Sequence, residues 1–245
     1  MNISEYIDYS LLDSTASEHD IIQLCHEAVQ SNFHSICINS CYVALAKQFL
    51  EGTGVKISTV VGFPLGAAST KSKIFEAQQA INDGASEIEM VINLGLLKSR
   101  NYVSVLKDIT DVKMAIGNIP LKVIIEISEL NKNEIVKICE ICLDARADFI
   151  KTSTGFSKNG ATFTAVKMIK KIVRDNTKIV ASGSIEDYET SIKFIEVGAD
   201  RVETSSNIMA TNKAQQIRNS KIYKQYIENL EKTTTESSLN TVSKA

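Results

Sequence analysis

The chain has no tryptophan, two prolines and no excess of one charge sign, with 27 Lys and Arg against 29 Asp and Glu over 245 residues. A dedicated nucleic-acid binder carries a clustered basic footprint, and Lys and Arg are spread along this chain, so no nucleic-acid partner is expected. No apolar run approaches the roughly 20 residues that a bilayer span needs. Met1-Asn2-Ile3-Ser4-Glu5 lacks the basic stretch and apolar core of a signal peptide. No membrane partner and a cytoplasmic location follow as expectations. Five cysteines, an odd number in a long chain, speak against a full disulfide framework. A content of 44% hydrophobic and 23% charged residues excludes wholesale disorder and collagen-like or coiled-coil chains.

A metal set is missing as well. His19, His26 and His34 stand at no ligand spacing. Cys139-x-x-Cys142 has metal or redox spacing, but it sits in the amphipathic stretch from Asn133 to Ala145 with no second pair to complete a zinc site. Helix packing is the expected role of both thiols, and no metal or cofactor is expected.

What is present is alternation. Short β-branched runs, at Tyr6–Leu11, Ser35–Ile38, Lys56–Val61, Glu87–Ile92, Leu121–Glu126, Phe149–Thr152, Lys178–Ala181 and Arg201–Thr204, read as eight strands. Between most of them lie helical patterns such as Ser17–Val29, Thr162–Val173 and Asp187–Val197. Eight strands in about 200 residues, each crossing over through a helix, fit an α/β fold of the (β/α)8 TIM-barrel type, a single domain. The rival is a doubly wound open sheet, which usually announces itself with a Gly-rich turn after its first strand. The turn here, Asn39-Ser-Cys-Tyr42, has no glycine. The barrel is expected over residues 1–231, its last helix near Lys213–Glu231, and a polar, disordered tail over 232–245.

In such a barrel the site forms at the C-terminal ends of the strands. Charged residues inside strand patterns are therefore candidates, because burying them is costly unless they are paired or used. Lys151 ends the sixth strand before Thr152-Ser-Thr154-Gly155, and an amine held among apolar groups has a lowered pKa and can form a Schiff base. Lys122 and Glu126 share a strand face by the two-residue period and are expected to pair inward, either to tune Lys151 or as a purely structural pair. Glu87 and Glu89 share a face too, and Glu89, nearer the strand's end, is placed to shuttle protons. Ala181-Ser-Gly183-Ser184 and Thr204-Ser205-Ser206 follow strands seven and eight, where barrels commonly hold phosphate.

These segments resemble the deoxyribose-phosphate aldolase family of class I aldolases over about residues 6 to 210. The likeness is carried by Ile7-Asp8-Tyr-Ser10-Leu-Leu12, Ser35-Ile-Cys37-Ile-Asn39, Thr59-Val-Val-Gly-Phe-Pro-Leu-Gly66, Glu87-Ile-Glu89-Met-Val-Ile-Asn93, Leu121-Lys122-Val-Ile-Ile-Glu126, Phe149-Ile-Lys151-Thr-Ser-Thr-Gly-Phe156 and Ala181-Ser-Gly183. The resemblance implies reversible, metal-free cleavage of 2-deoxyribose 5-phosphate to acetaldehyde and glyceraldehyde 3-phosphate. It implies Lys151 as the Schiff-base lysine, Glu89 in place of the proton-shuttling aspartate, and Lys122 and Asp8 as electrostatic support. Ser10, Cys37, Thr154, Gly155, Gly183, Ser184, Ser205 and Ser206 become substrate-binding candidates.

Several working positions depart from the family. Its Lys-Ala-Ser-Gly-Gly-Ile-Arg after strand seven is Val180-Ala-Ser-Gly-Ser184-Ile-Glu186 here, so the second lysine is Val180 and the arginine is Glu186. Its Gly-Thr-Ser-Ser after strand eight is Glu203-Thr-Ser-Ser206. Two new acids beside a phosphate are each worth up to roughly 4 kcal/mol of repulsion at about 4 Å and an effective dielectric near 20. Losing an acid–base partner costs roughly 10²–10⁴-fold. Lys178, two residues before Val180, is the one nearby amine that could stand in. The leading expectation is a Schiff-base aldolase acting on a small carbonyl substrate that need not carry phosphate, as a possible homodimer. Two alternatives stand beside it: a paralogue that keeps the barrel for binding alone, and an ordinary deoxyribose-phosphate aldolase with tolerated drift.

Overall fold

The computed structural model describes residues 2–209 and Asn212. Met1–Asn207 form one compact unit and Ile208–Ala245 a second. The helix expected at 213–231 and the boundary at 231/232 lie outside the described residues.

Eight parallel strands, β1 (Ile7–Leu11), β2 (Ser35–Ile38), β3 (Lys56–Val61), β4 (Glu87–Val91), β5 (Leu121–Ile124), β6 (Phe149–Lys151), β7 (Lys178–Ser182) and β8 (Arg201–Thr204), run in chain order around a closed barrel. Closure is made by β8 on β1, pairing Ile7 with Val202, Asp8 with Glu203 and Tyr9 with Thr204. That pairing excludes the open sheet. Nearly every strand residue is buried, as strands covered on both faces require.

The helices are α1 (Glu18–Gln30), α2 (Val43–Leu50), α3 (Thr70–Asp83), α4 (Leu94–Lys98), α5 (Tyr102–Ile116), α6 (Lys132–Asp144), α7 (Phe163–Val173) and α8 (Tyr188–Glu196). Their starts follow capping chemistry. Ser17 and Asp20 form a reciprocal capping box on α1, Asn131 and Glu134 do so on α6, and Thr162 and Asp187 cap α7 and α8. In α6 the buried residues are Ile135, Ile138, Cys139, Ile141 and Cys142, so both cysteines are packed as free thiols on the helix's buried face.

Strand ends differ from expectation where the backbone turns. Tyr6 closes a short 3₁₀ turn, and β5 stops at Ile124 because Glu126 adopts a left-handed φ of 54°. Asp148 accepts a hydrogen bond from Leu121 N at 2.8 Å, and Asp200 one from Ile179 N at 2.8 Å. The acids that precede β6 and β8 thus tie down the starts of β5 and β7. No described helix is long and apolar enough to cross a membrane.

Candidate active site

The barrel interior holds a dense ionic network. Its members follow from the two-residue period: Glu87 and Glu89 on β4, Arg201 and Glu203 on β8, Asp8 on β1, Lys122 on β5 and Lys151 on β6, all buried. Lys122 Nζ lies 2.9 Å from Asp8 Oδ2, 2.9 Å from Glu87 Oε2 and 2.8 Å from Glu89 Oε1. Arg201 reaches Asp8 at 2.5 Å and Glu87 at 2.9 Å. Ser35 donates to Asp8 at 2.5 Å and Ser58 to Glu89 at 2.7 Å, so lone pairs left over by the ion pairs are used.

Lys151 sits above this layer, fully buried, with Nζ 2.6 Å from Glu89 Oε2 and 2.5 Å from Glu203 Oε1. The expected lowered pKa is overturned. Burial alone would lower it, but Glu203 and Glu89 outweigh burial and hold the ammonium above the ordinary lysine range. The surroundings of the amine are ionic, not apolar. Glu89 is held far below the usual carboxylate range, since Lys122 and Lys151 outweigh the cost of its burial. Glu203 goes the other way: burial, then the charge of Glu89, raise its pKa to about 7 against the pull of Lys151. Four carboxylates (Asp8, Glu87, Glu89, Glu203) share the interior with three cations (Lys122, Lys151, Arg201), and Glu203 shares its cation, Lys151, with Glu89.

The loop after Lys151 is fixed by its neighbours. Thr152 Oγ1 donates to Ser182 O at 3.0 Å and accepts from Ser182 N at 3.0 Å, while Ser182 Oγ donates to Ser153 O at 2.6 Å. Thr154 donates to Glu126 Oε2 through both its hydroxyl and its backbone N–H. The expected Lys122–Glu126 pair therefore does not form: Glu126 lies past the end of β5 and serves this loop instead. Gly183, at φ +87°, packs against Gly160 so closely that a Cβ on Gly160 would stand 2.0 Å from the Gly183 carbonyl oxygen.

An open cavity of about 330 Å³ lies at the C-terminal ends of the strands, lined by Ser10 on β1, Leu12 and Asp13 after it, Thr154–Phe156 after β6, Gly183–Glu186 after β7 and Glu203–Ser205 at β8; Lys151 is fully buried and does not itself line it, but its partner Glu203 does. Ser10, Thr154, Gly155, Gly183, Ser184, Glu186, Glu203 and Ser205 meet there. Ser206 does not line it, and Asp8, Cys37, Lys122 and Val180 lie within the barrel. Glu203 is buried and directed at Lys151, so of the two substituted acids only Glu186 stands exposed at the mouth. Lys178 does not take the place of the missing amine, for it is exposed at the start of β7, with Nζ 5.5 Å from the centroid of the Phe149 ring. Asp13, Leu12 and Phe156 were not anticipated from sequence. Arg201 was missed too, although it shares a face with Glu203 by the same alternation that marked Glu87 and Glu89.

Cys37, Glu89 and Glu203 bring three potential metal-ligating atoms within 4.8 Å of one another. The Lys151 ammonium already bridges the two carboxylates, and burial with the nearby acids holds the Cys37 thiol protonated. The chain supplies its own cation there.

A closed (β/α)8 barrel with a buried amine at a strand's C-terminal end, a carboxylate on that amine and a cavity at the same end of the barrel has the layout of a carbonyl-handling barrel enzyme. Residues 6–194 match the model of the DeoC/LacD family aldolases. Deoxyribose-phosphate aldolase 1 of Mesoplasma florum is 48% identical over 208 residues, covering 85% of this chain and 94% of that protein. The deoxyribose-phosphate aldolase of Finegoldia magna is 50% identical over 208 residues, covering 85% and 98%. Among solved structures, the aldolase QR15 superposes with a TM-score of 0.83 at 38% identity, covering 88% of this chain and 97% of its own. The tetrameric deoxyribose phosphate aldolase of Aeropyrum pernix does so with a TM-score of 0.79 at 27% identity, covering 87% and 92%. The chain belongs to the DeoC/LacD aldolase family, a family of carbon–carbon lyases.

Proposed function

We propose that the chain makes and breaks a carbon–carbon bond through a Schiff base on Lys151, with Glu89 moving the proton at the adjacent carbon, on a carbonyl substrate that need not carry phosphate. The observation that carries this is the cavity that Glu203, the ion-pair partner of Lys151, lines. It is lined by Asp13, Glu186 and Glu203, and none of its described lining residues is Lys, Arg or His. An anionic phosphate finds no cation in that lining, whereas hydroxyls of an uncharged aldol find Ser10, Thr154, Ser184 and Ser205. Lys122 and Asp8 support Glu89 from below, Lys122 by direct contact. The relatives' activity on deoxyribose phosphate supports that same phosphorylated substrate as the rival reading.

Reductive trapping with borohydride and a small aldehyde, followed by peptide mass spectrometry, is expected to place one adduct on Lys151. An unmodified lysine would sink the Schiff base. Comparison of kcat/KM for 2-deoxyribose 5-phosphate and for unphosphorylated aldols then separates the substrates, and a strong preference for the phosphate ester would return the chain to the relatives' activity.

A non-catalytic barrel is the second reading. It is favoured by one specific feature: the two carboxylates on Lys151 oppose the neutral amine that attack requires. Turnover of any aldol that depends on Lys151 removes it. For assembly we keep a homodimer, with the tetrameric neighbour as the precedent for self-association; light scattering on the purified protein decides.

A further inference from the structure

We propose that Glu203 is the acid–base group of Lys151, taking the ammonium proton as the amine attacks and returning it to the hydroxyl that leaves as water. The inference rests on the Schiff-base reading and adds a residue to it.

Position carries the argument. Glu203 Oε1 is 2.5 Å from Lys151 Nζ, and the same side chain lines the cavity in which a carbonyl can lie. Glu89 touches Nζ at 2.6 Å but does not line that cavity. Of the two carboxylates on Nζ, only Glu203 lines the cavity. Its second oxygen, Oε2, is buried without a hydrogen-bond partner, an uncompensated acceptor that a transferred proton would convert to a donor. On the neighbouring strand Val180, backbone partner of Lys151, offers no amine to do this work.

The surroundings favour the same carboxylate. Glu203 faces Lys151 on β6, Glu89 on β4, Cys37 on β2 and Lys122 on β5, and its register partners are Asp8 on β1 and Ser182 on β7. Arg201, on its own strand, is turned to Asp8 and Glu87. Glu89 is made strongly acidic by two cations, whereas Glu203 is raised to about 7, so of the two oxygens on Nζ that of Glu203 is the more basic.

The step balances without a further reactant. The Lys151 ammonium passes one proton to the Glu203 carboxylate, and the freed nitrogen pair forms the C–N bond while the carbonyl π pair moves to oxygen. That oxygen takes the proton from the Glu203 carboxyl. A second proton then passes from nitrogen to Glu203 and on to the carbinolamine hydroxyl, which leaves as water as the nitrogen pair forms the iminium. Ammonium and aldehyde thus become protonated iminium and water, and Glu203 ends as the carboxylate facing that cation.

The test is the rate of borohydride trapping of acetaldehyde on Lys151 against pH, in the wild type, E203Q and E203G. At pH 7 the wild type is expected to label at least 10²-fold faster than E203Q, which has lost the proton acceptor and returns no proton to the leaving hydroxyl. Formate is expected to restore labelling in E203G, where it can occupy the vacated space, and not in E203Q. Circular dichroism establishes that the variants are folded, and E203G carries the test if E203Q does not fold. Equal or faster labelling of E203Q, or no response of E203G to formate, overturns the role of Glu203 while the Schiff base stands. No adduct on wild-type Lys151 at any pH overturns the Schiff-base reading itself.

Discussion

Glu203→Gln has a consequence for stability that is independent of any substrate. In the folded barrel the Glu203 carboxyl titrates at about 7, against an ordinary value of 4.5, because burial and Glu89 oppose its ionisation. A group whose folded pKa is raised contributes stability that is fully present below its unfolded pKa and is lost as pH rises through the folded one. The window is therefore pH 4.5 to about 7. At about 1.4 kcal/mol per pH unit, the wild type loses on the order of 3 kcal/mol relative to E203Q across it. The other titrating groups contribute nearly equally to both proteins and largely cancel in the difference. For a chain of this length about 3 kcal/mol corresponds to roughly 6–12 °C in Tm. Paired thermal melts at half-unit steps from pH 4 to 8.5 read this directly: E203Q should gain on the wild type as pH rises, with the curve flattening above pH 8. A constant difference would mean that Glu203 titrates like an exposed carboxylate. A gain by the wild type instead would mean that its pairing with Lys151 dominates over burial, and the count of four acids against three cations would be the wrong way to read the core.

Three further outcomes are expected. Lys73 is fully buried between α3 and α5, 2.6 Å from Asp108, so D108N should cost about 3–5 kcal/mol in urea melts, and the double variant K73M/D108L should recover much of it. Ser184 adopts a left-handed φ of 57°, so S184G should raise stability by about 0.5–1 kcal/mol and S184A should not; equal effects would refute the strain argument. The triple change V180K/E186R/E203G should raise kcat/KM on 2-deoxyribose 5-phosphate by at least 10²-fold, through a second amine near Lys151 and removal of the mouth acid. No change would show that these three positions do not govern the reaction.

The fold was legible because burial on both faces leaves a plain mark: short β-branched runs separated by capped amphipathic helices. Ser17, Thr162 and Asp187 each open the helix that their side-chain chemistry predicts. Strand ends were less legible, since β5 is cut short by the left-handed turn at Glu126, which alternation cannot foresee. For the site, charges inside strand patterns marked Lys151, Lys122, Glu87 and Glu89 correctly as inward-facing. What a one-dimensional pattern could not give is partnership around the barrel. Asp8 and Lys122 are 114 residues apart, and Arg201 and Asp8 are 193 apart. Glu126 looked like a partner of Lys122 by period alone, and Glu203 looked like an acid at a phosphate loop. Each went elsewhere because closure of the ring put a stronger opposite charge, or a loop with unsatisfied donors, closer to hand.

Val180 and Glu203 are best understood together. Lys151 pairs through its backbone with Val180, and Ser182, next along that face of β7, pairs with Glu203. A cation at position 180 would lower the Lys151 pKa by like-charge repulsion, and a carboxylate at 203 raises it by attraction, so the apolar Val180 and the acidic Glu203 both leave Lys151 protonated. An amine neighbour makes Lys151 reactive by withholding its proton. With Val180 that route is closed, and the ammonium is the resting form. An attack from that form needs an acceptor within hydrogen-bond reach that is basic enough to take the proton and able to give it back. Glu89, drained by two cations, is too weak a base for the exchange. Glu203 is the more basic of the two carboxylates that touch the amine. The surplus acid is a defect for a barrel core judged on stability alone, and it is the feature that the proposed Schiff-base chemistry at Lys151 requires.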